Sequence, residues 1–104
     1  MAIELIALDI DGTLVDENSI VTTANREAVK KAIESDIKVT LVTGRHWDGV
    51  TQVMEVLGLP PKTPVVLNNG AIVISGREIW ATNFLTPDEV DGVIKFSSKL
   101  SGVV

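Results

Sequence analysis

Two rhythms of apolar and polar positions alternate along the first part of the chain. Ile3 to Ile10 (IELIALDI) is an apolar run interrupted only by Glu4 and Asp9. A short run of this kind predicts a strand buried on both faces. Ala24, Ala28, Val29, Ala32 and Ile33 then recur at helical spacing, with Arg26, Lys30 and Lys31 on the other side, which predicts an amphipathic helix. Ile37 to Thr43 (IKVTLVT) is β-branched and reads as a second strand. A second helix is expected from about Trp47 to Leu57, with Val50, Val53, Met54 and Leu57 on one stripe. Gly58 followed by Pro60-Pro61 supplies its stop. Val65 to Asn68 predicts a third strand, and Ala71–Ser75 with Glu78–Ala81 a hairpin around Gly76-Arg77. Thr86-Pro87-Asp88-Glu89 combines an N-cap, an N1 proline and a capping-box glutamate. The helix it opens is expected to run through Leu100 and to bury Val90, Val93 and Ile94, with Phe96 a further candidate, before Gly102 ends it.

The order β-α-β-α-β predicts an α/β fold with a parallel sheet and flanking helices, followed by a hairpin and a helix. At 104 residues the chain has the length of one domain. Its hydrophobic fraction of 45% places it among globular sequences rather than disordered ones. Nine Lys+Arg stand against fourteen Asp+Glu, a net charge of −5. That balance argues against a nucleic-acid or anionic-membrane partner, since both require clustered positive charge. The absence of cysteine excludes disulfides, thiolate zinc sites and thiol nucleophiles. The N-terminal Met1-Ala2-Ile3-Glu4 lacks the basic flank of a secretion signal and no apolar stretch approaches membrane-spanning length, so the expected location is cytoplasmic.

In open α/β sheets ligands bind beyond the carboxyl ends of the strands. Polar clusters stand at all three predicted ends: Asp9-Ile10-Asp11-Gly12-Thr13, Thr43-Gly44-Arg45 and Asn68-Asn69-Gly70. On a continuous strand Asp9 and Asp11 would share a face. Two carboxylates that close repel unless a cation or hydrogen-bond donors separate them, and a hard cation such as Mg²⁺ suits such oxygen ligands. Gly12 would let backbone N–H groups turn toward an anion. The same residues are also compatible with a strand-ending Asx turn without chemistry.

Leu8-Asp9-Ile10-Asp11-Gly12-Thr13-Leu14-Val15-Asp16 resembles the first signature motif of the haloacid dehalogenase superfamily, and Val42-Thr43-Gly44-Arg45 resembles the second. Asn68-Asn69-Gly70-Ala71 resembles the segment at which Cof-type phosphatases, which carry a large α/β cap, leave the core. The resemblance covers residues 1 to about 85 as the N-terminal part of a Rossmann-like core. It makes residues 86–104 the start of the cap. It implies that Asp9 is the nucleophile, forming an aspartyl-phosphate, and that Asp11 is the general acid and then base. Mg²⁺ would be held by Asp9 through its carboxylate and by Asp11 through its backbone carbonyl. Gly12, Thr43 and Gly44 would bind the phosphoryl group. Arg45 and Asn69 are candidates for substrate binding, with a surface arginine and a turn asparagine as the plainer alternatives. His46 reads as a helix-entry residue, and Trp47 and Trp80 as packing residues.

Two further elements of the family pattern have no counterpart. None of Lys30, Lys31, Lys38, Lys62, Lys95 and Lys99 stands where the family lysine would, and Asp88, Glu89 and Asp91 belong to a helix start rather than to a second acidic strand end. The expectation is therefore an N-terminal fragment of a Mg²⁺-dependent phosphatase acting on a small phosphorylated metabolite, with little activity alone. It would be a homo-oligomer or depend on a completing segment. A non-catalytic phosphate- or Mg²⁺-binding or assembly module and half of a sugar phosphomutase are the alternatives.

Overall fold

The computed structural model of the protein describes residues 2–100. Three parallel strands come first: β1 (Leu5–Leu8), β2 (Lys38–Val42) and β3 (Pro64–Leu67). Helices α1 (Thr23–Glu34) and α2 (Asp48–Leu57) cross between them. Thr22 starts α1 by accepting the Asn25 N–H on its hydroxyl at 3.2 Å. Register brings Leu8 opposite Leu41, and Leu41 opposite Val65.

The predicted hairpin, β4 (Ile72–Ser75) and β5 (Glu78–Thr82), is present and does more than append itself to the core. β4 pairs antiparallel with β3, so the five strands form one mixed sheet in the order β1-β2-β3-β4-β5. A tight turn over Asn68–Gly70 makes this reversal, which ends the expected third strand one residue early.

Burial along the strands departs from expectation. In β2 only Val39 and Leu41 are buried, and in β3 only Val65 and Leu67. These are alternate positions, so one face of the sheet is packed and the other is not. β1 has a single neighbour among the described residues and Leu5 is largely exposed. The expectation of a first strand buried on both faces is therefore not met. The apolar residues are there, but among the described elements only the helices α1 and α2 supply cover. The core joins Ile10, Leu14, Leu41, Val65 and Leu67 to Val29 of α1 and Val50, Val53, Met54 and Leu57 of α2. Ala24 and Ala28, expected on the inner stripe of α1, are exposed; Trp47 packs against the core as expected, whereas Trp80 on β5 is exposed.

Helix α3 (Pro87–Ser97) carries the predicted capping box, with Thr86 and Glu89 exchanging hydrogen bonds at 3.2 Å in both directions. Its apolar face is not buried. Val90 is 41% exposed, Val93 and Ile94 59% and Phe96 64%, because no other described element lies over them. What holds α3 is local: the box and an Asp91–Lys95 ion pair at 2.8 Å. The expected stop at Gly102 lies outside the described residues. The projecting hairpin and helix give a radius of gyration of 17.1 Å, against about 13 Å for a compact domain of this length.

This division sets the response to truncation. Leu41→Ala, at a fully buried position, should cost about 2–5 kcal/mol in a denaturant titration. Val93→Ala, equally apolar but uncovered, should stay within about 0.5 kcal/mol.

Candidate active site

The first loop begins where β1 stops, at Leu8, so Asp9 to Asp11 do not continue the strand as expected. Ile10 organises them. Its side chain is fully buried, and its carbonyl accepts N–H groups from Thr13, Leu14 and Val15 at 3.3, 2.9 and 3.2 Å. With Ile10 turned inward, Asp9 and Asp11 on either side are both exposed. Gly12 follows at φ +78°, a left-handed conformation that a side chain would strain. The far side of the loop is pinned from α1, where the Asn25 amide donates to the carbonyls of Thr13 and Leu14 at 3.0 and 3.1 Å.

The second loop is stitched to the third. Thr43, only 3% exposed, donates its N–H to the Val66 carbonyl and accepts the Asn69 N–H on its own carbonyl, both at 3.0 Å. The Asn68 N–H donates to the Arg45 carbonyl at 3.0 Å. Asn68 and Asn69 adopt positive φ of 50° and 56°, a conformation asparagine tolerates better than most residues. Gly44 lies so close that a Cβ on it would come within 2.8 Å of the Asn69 Oδ1. The Thr43 hydroxyl oxygen accepts the Arg45 N–H at 3.0 Å. Its own hydrogen has no acceptor among the described residues.

Arg45 joins the second loop to the first. Its Nη2 donates to Asp11 Oδ1 at 2.6 Å and its Nε to Asp11 Oδ2 at 2.9 Å, a two-point fork. Its Nη1 donates to the Gly49 carbonyl in the first turn of α2 at 2.9 Å. These hydrogen bonds, reinforced by the guanidinium charge, hold the Asp11 carboxyl below the usual carboxylate range against a smaller opposing effect of burial. The same partner raises the Arg45 guanidinium above its ordinary value. A lowered carboxyl makes this pair a feature of pH above the ordinary aspartate range, lost as pH falls through the lowered value.

The structure thus brings Asp11 to Arg45, and Thr43 and Gly44 to Asn69. Asp9 stands apart from both sets, with its Oδ1 accepting the Ile10 N–H at 2.9 Å. The shared strand face expected of Asp9 and Asp11 is not found, since the chain leaves the strand after Leu8 and the Asp11 carboxylate pairs with a guanidinium. Arg45, a candidate for substrate binding, donates to Asp11 and to the Gly49 carbonyl. Two structural partnerships escaped the sequence. One is the Arg45–Asp11 pair, 34 residues apart, for which no local pattern exists. The other is Asn25, whose only signal was an amide in the first turn of an otherwise core-facing helix.

As a metal site the loop offers hard oxygen donors, the Asp9 carboxylate and neighbouring backbone carbonyls, which suit Mg²⁺ better than a softer ion. Among the described residues no group of three or more His, Cys, Asp or Glu side chains gathers to hold a metal. The donors fit the ion in kind and would supply part of its shell.

The contact between Gly44 and Asn69 makes a specific prediction. Gly44→Ala should destabilise the paired loops by about 1–3 kcal/mol and increase amide exchange at Asn69. Adding Asn69→Gly, which removes both the clashing amide and the positive-φ strain, should restore most of the loss. Paired thermal melts of the single and double variants check it.

Both the sequence and the fold are similar to those of known proteins. A phosphatase of Bacillus subtilis, 5-amino-6-(5-phospho-D-ribitylamino)uracil phosphatase YwtE, is 36% identical over 74 residues, covering 71% of this chain and 25% of that protein. The solved structure of a haloacid dehalogenase-like hydrolase from B. subtilis superposes with a TM-score of 0.77 at 28% identity, over 93% of this chain and 34% of that one. A subclass IIB sugar phosphatase of the same superfamily shares the fold, with a TM-score of 0.76 at 24% identity over 92% of this chain and 37% of that one. The chain spans about a quarter of the length of the curated relatives it matches. Among the described residues no helix is long and apolar enough to cross a membrane. The family model of haloacid dehalogenase-like hydrolases matches residues 6–103, and a match that leaves so little of the sequence outside it places the protein in that family.

Proposed function

We propose that this chain supplies the nucleophile half of a Mg²⁺-dependent phosphatase site for small phosphate monoesters, with residues 1–85 belonging to the catalytic core and 86–104 beginning its cap. The observation that carries the reading is the exposed Asp9 carboxylate just past the end of β1, with the neighbouring parallel strand β2 leading into a buried Thr43 that has a hydroxyl hydrogen to donate. Family membership and phosphatase relatives support the reaction class. The YwtE relative is named for a substrate that is itself a small phosphate ester.

In the proposed chemistry the free oxygen of Asp9 attacks phosphorus. The bond to the leaving oxygen breaks, and Asp11 gives that oxygen a proton. Water then attacks the aspartyl-phosphate, Asp11 takes the proton, and phosphate leaves with Asp9 restored. Thr43 and the backbone N–H groups of Gly44 and Gly12 donate to the equatorial oxygens, where charge stabilisation does most of the work in phosphoryl transfer. Asp9 and the Asp11 carbonyl would hold Mg²⁺, which when bound neutralises phosphoryl charge. Arg45 keeps Asp11 ionised, the form that accepts a proton from water. The protonated form needed by the leaving group requires the guanidinium to loosen its grip. Asn69 would line the third side, where its backbone N–H bonds the Thr43 carbonyl of the second loop. A homo-oligomer or a completing segment would cover the apolar sheet face, and the location consistent with this chemistry is cytoplasmic.

A chimera that replaces the matching quarter of the YwtE relative with this span tests the reading. It should hydrolyse phosphate esters with added Mg²⁺. Asp9→Asn should lower turnover by roughly 10³-fold or more, and Thr43→Val by about 10²-fold. Turnover unaffected by Asp9→Asn overturns the assignment of the nucleophile. The span tested without the rest should show little turnover; transfer of label to a second sugar hydroxyl in place of water would favour a mutase.

A further inference from the structure

We propose that Arg45 is a positioning residue that withholds the Asp11 carboxylate from a cation bound at Asp9. The inference rests on the reading of Asp9 as a metal ligand and adds a role to a residue otherwise offered only as a substrate contact. Two exposed carboxylates two residues apart would ordinarily bind a divalent cation together, since affinity rises with the number of charged ligands. Here they are treated differently. Asp9 has one oxygen on the adjoining Ile10 N–H, and its other oxygen has no hydrogen-bond partner among the described residues. Both Asp11 oxygens are taken by the guanidinium, at 2.6 and 2.9 Å.

The fork is itself fixed from several sides. Nη1 donates to the Gly49 carbonyl, the Arg45 N–H donates to the Thr43 hydroxyl, and the Arg45 carbonyl accepts the Asn68 N–H. Gly49 is held in place by its neighbour Val50, which is fully buried. A planar fork anchored in this way loses little freedom on binding a carboxylate, and a lysine at this position would offer only a point charge. The consequence is a division of labour between neighbouring carboxylates. Asp9 is left to the cation, and the Asp11 carboxylate is held by the guanidinium outside the coordination shell.

Calorimetric Mg²⁺ titration of the 104-residue chain tests this without any turnover. Arg45→Ala and Arg45→Gln should each bind Mg²⁺ about tenfold more tightly than the parent, as a second carboxylate joins the shell. Arg45→Lys should fall between. In an Asp11→Asn background the same Arg45→Ala change should have no effect. An unchanged or weaker affinity in both Arg45→Ala and Arg45→Gln overturns the proposal. So does a tightening equally large in the Asp11→Asn background, which would reflect only the loss of a positive charge. Arg45→Gln keeps a side chain of nearly the same reach, so the comparison survives if Arg45→Ala does not fold. Asp9→Asn in the parent separates the two readings. If Mg²⁺ binding persists there, the assignment of Asp9 fails and this inference with it; if binding is lost there but insensitive to Arg45, only the role of Arg45 fails.

Discussion

The burial of Ile10 is the constraint from which the site follows. A strand that stops at Leu8 would ordinarily release its chain into solvent, yet the next residue but one, the apolar Ile10, is fully enclosed and its carbonyl holds three N–H groups of the turn beyond. An apolar side chain of this size gains about 1.5–3 kcal/mol by leaving water, and two exposed carboxylates beside it would gain nothing by following. The alternation is enforced by opposite solvation preferences at neighbouring positions. Core and site are thus set by the same peptide units. A change that loosened Ile10 would be felt at both aspartates before it was felt elsewhere.

The second constraint is the joining of three loops through the backbone. Parallel strands bring their carboxyl ends to one edge of the sheet, but they leave the loops there free to diverge. In this protein Thr43 and Arg45 accept N–H groups from Asn69 and Asn68, and the turn that supplies those donors runs at positive φ. The same turn reverses the chain, so that β4 returns antiparallel beside β3. The close approach of Gly44 to the Asn69 amide is the steric counterpart of that hydrogen bonding. Arg45 completes the connection at the side-chain level by reaching back to Asp11 and outward to α2.

Packing is concentrated on one side. The helices α1 and α2 cover alternate residues of β2 and β3, while the opposite face, the outer side of β1 and the whole of α3 keep large apolar side chains exposed. Known relatives are about four times longer than the matched span. Apolar surface of this extent is characteristic of faces made to be covered. The capping box and the Asp91–Lys95 pair show how α3 keeps its helical form without tertiary support.

By itself the sequence determined every element that depends on neighbours along the chain. The apolar runs placed β1, β2 and β3, helical spacing placed α1 and α2, and Thr86 to Glu89 placed the start of α3. The strand-end motifs marked Asp9, Asp11, Thr43, Gly44 and Asn69 as the polar residues of one edge, because side-chain period and turn chemistry are local properties. What the sequence could not determine was cover. An apolar residue at helical or strand spacing is the same whether or not a partner lies over it, so Val90, Val93, Ile94 and the second face of the sheet read as core and are exposed. Nor could it pair charges. Asp11 and Arg45 meet only because β1 and β2 lie side by side and the loop at Ile10 turns inward. The tertiary structure alone decided that contact, since a fork-shaped cation selects its carboxylate by distance and direction in space, and neither is encoded in separation along the chain.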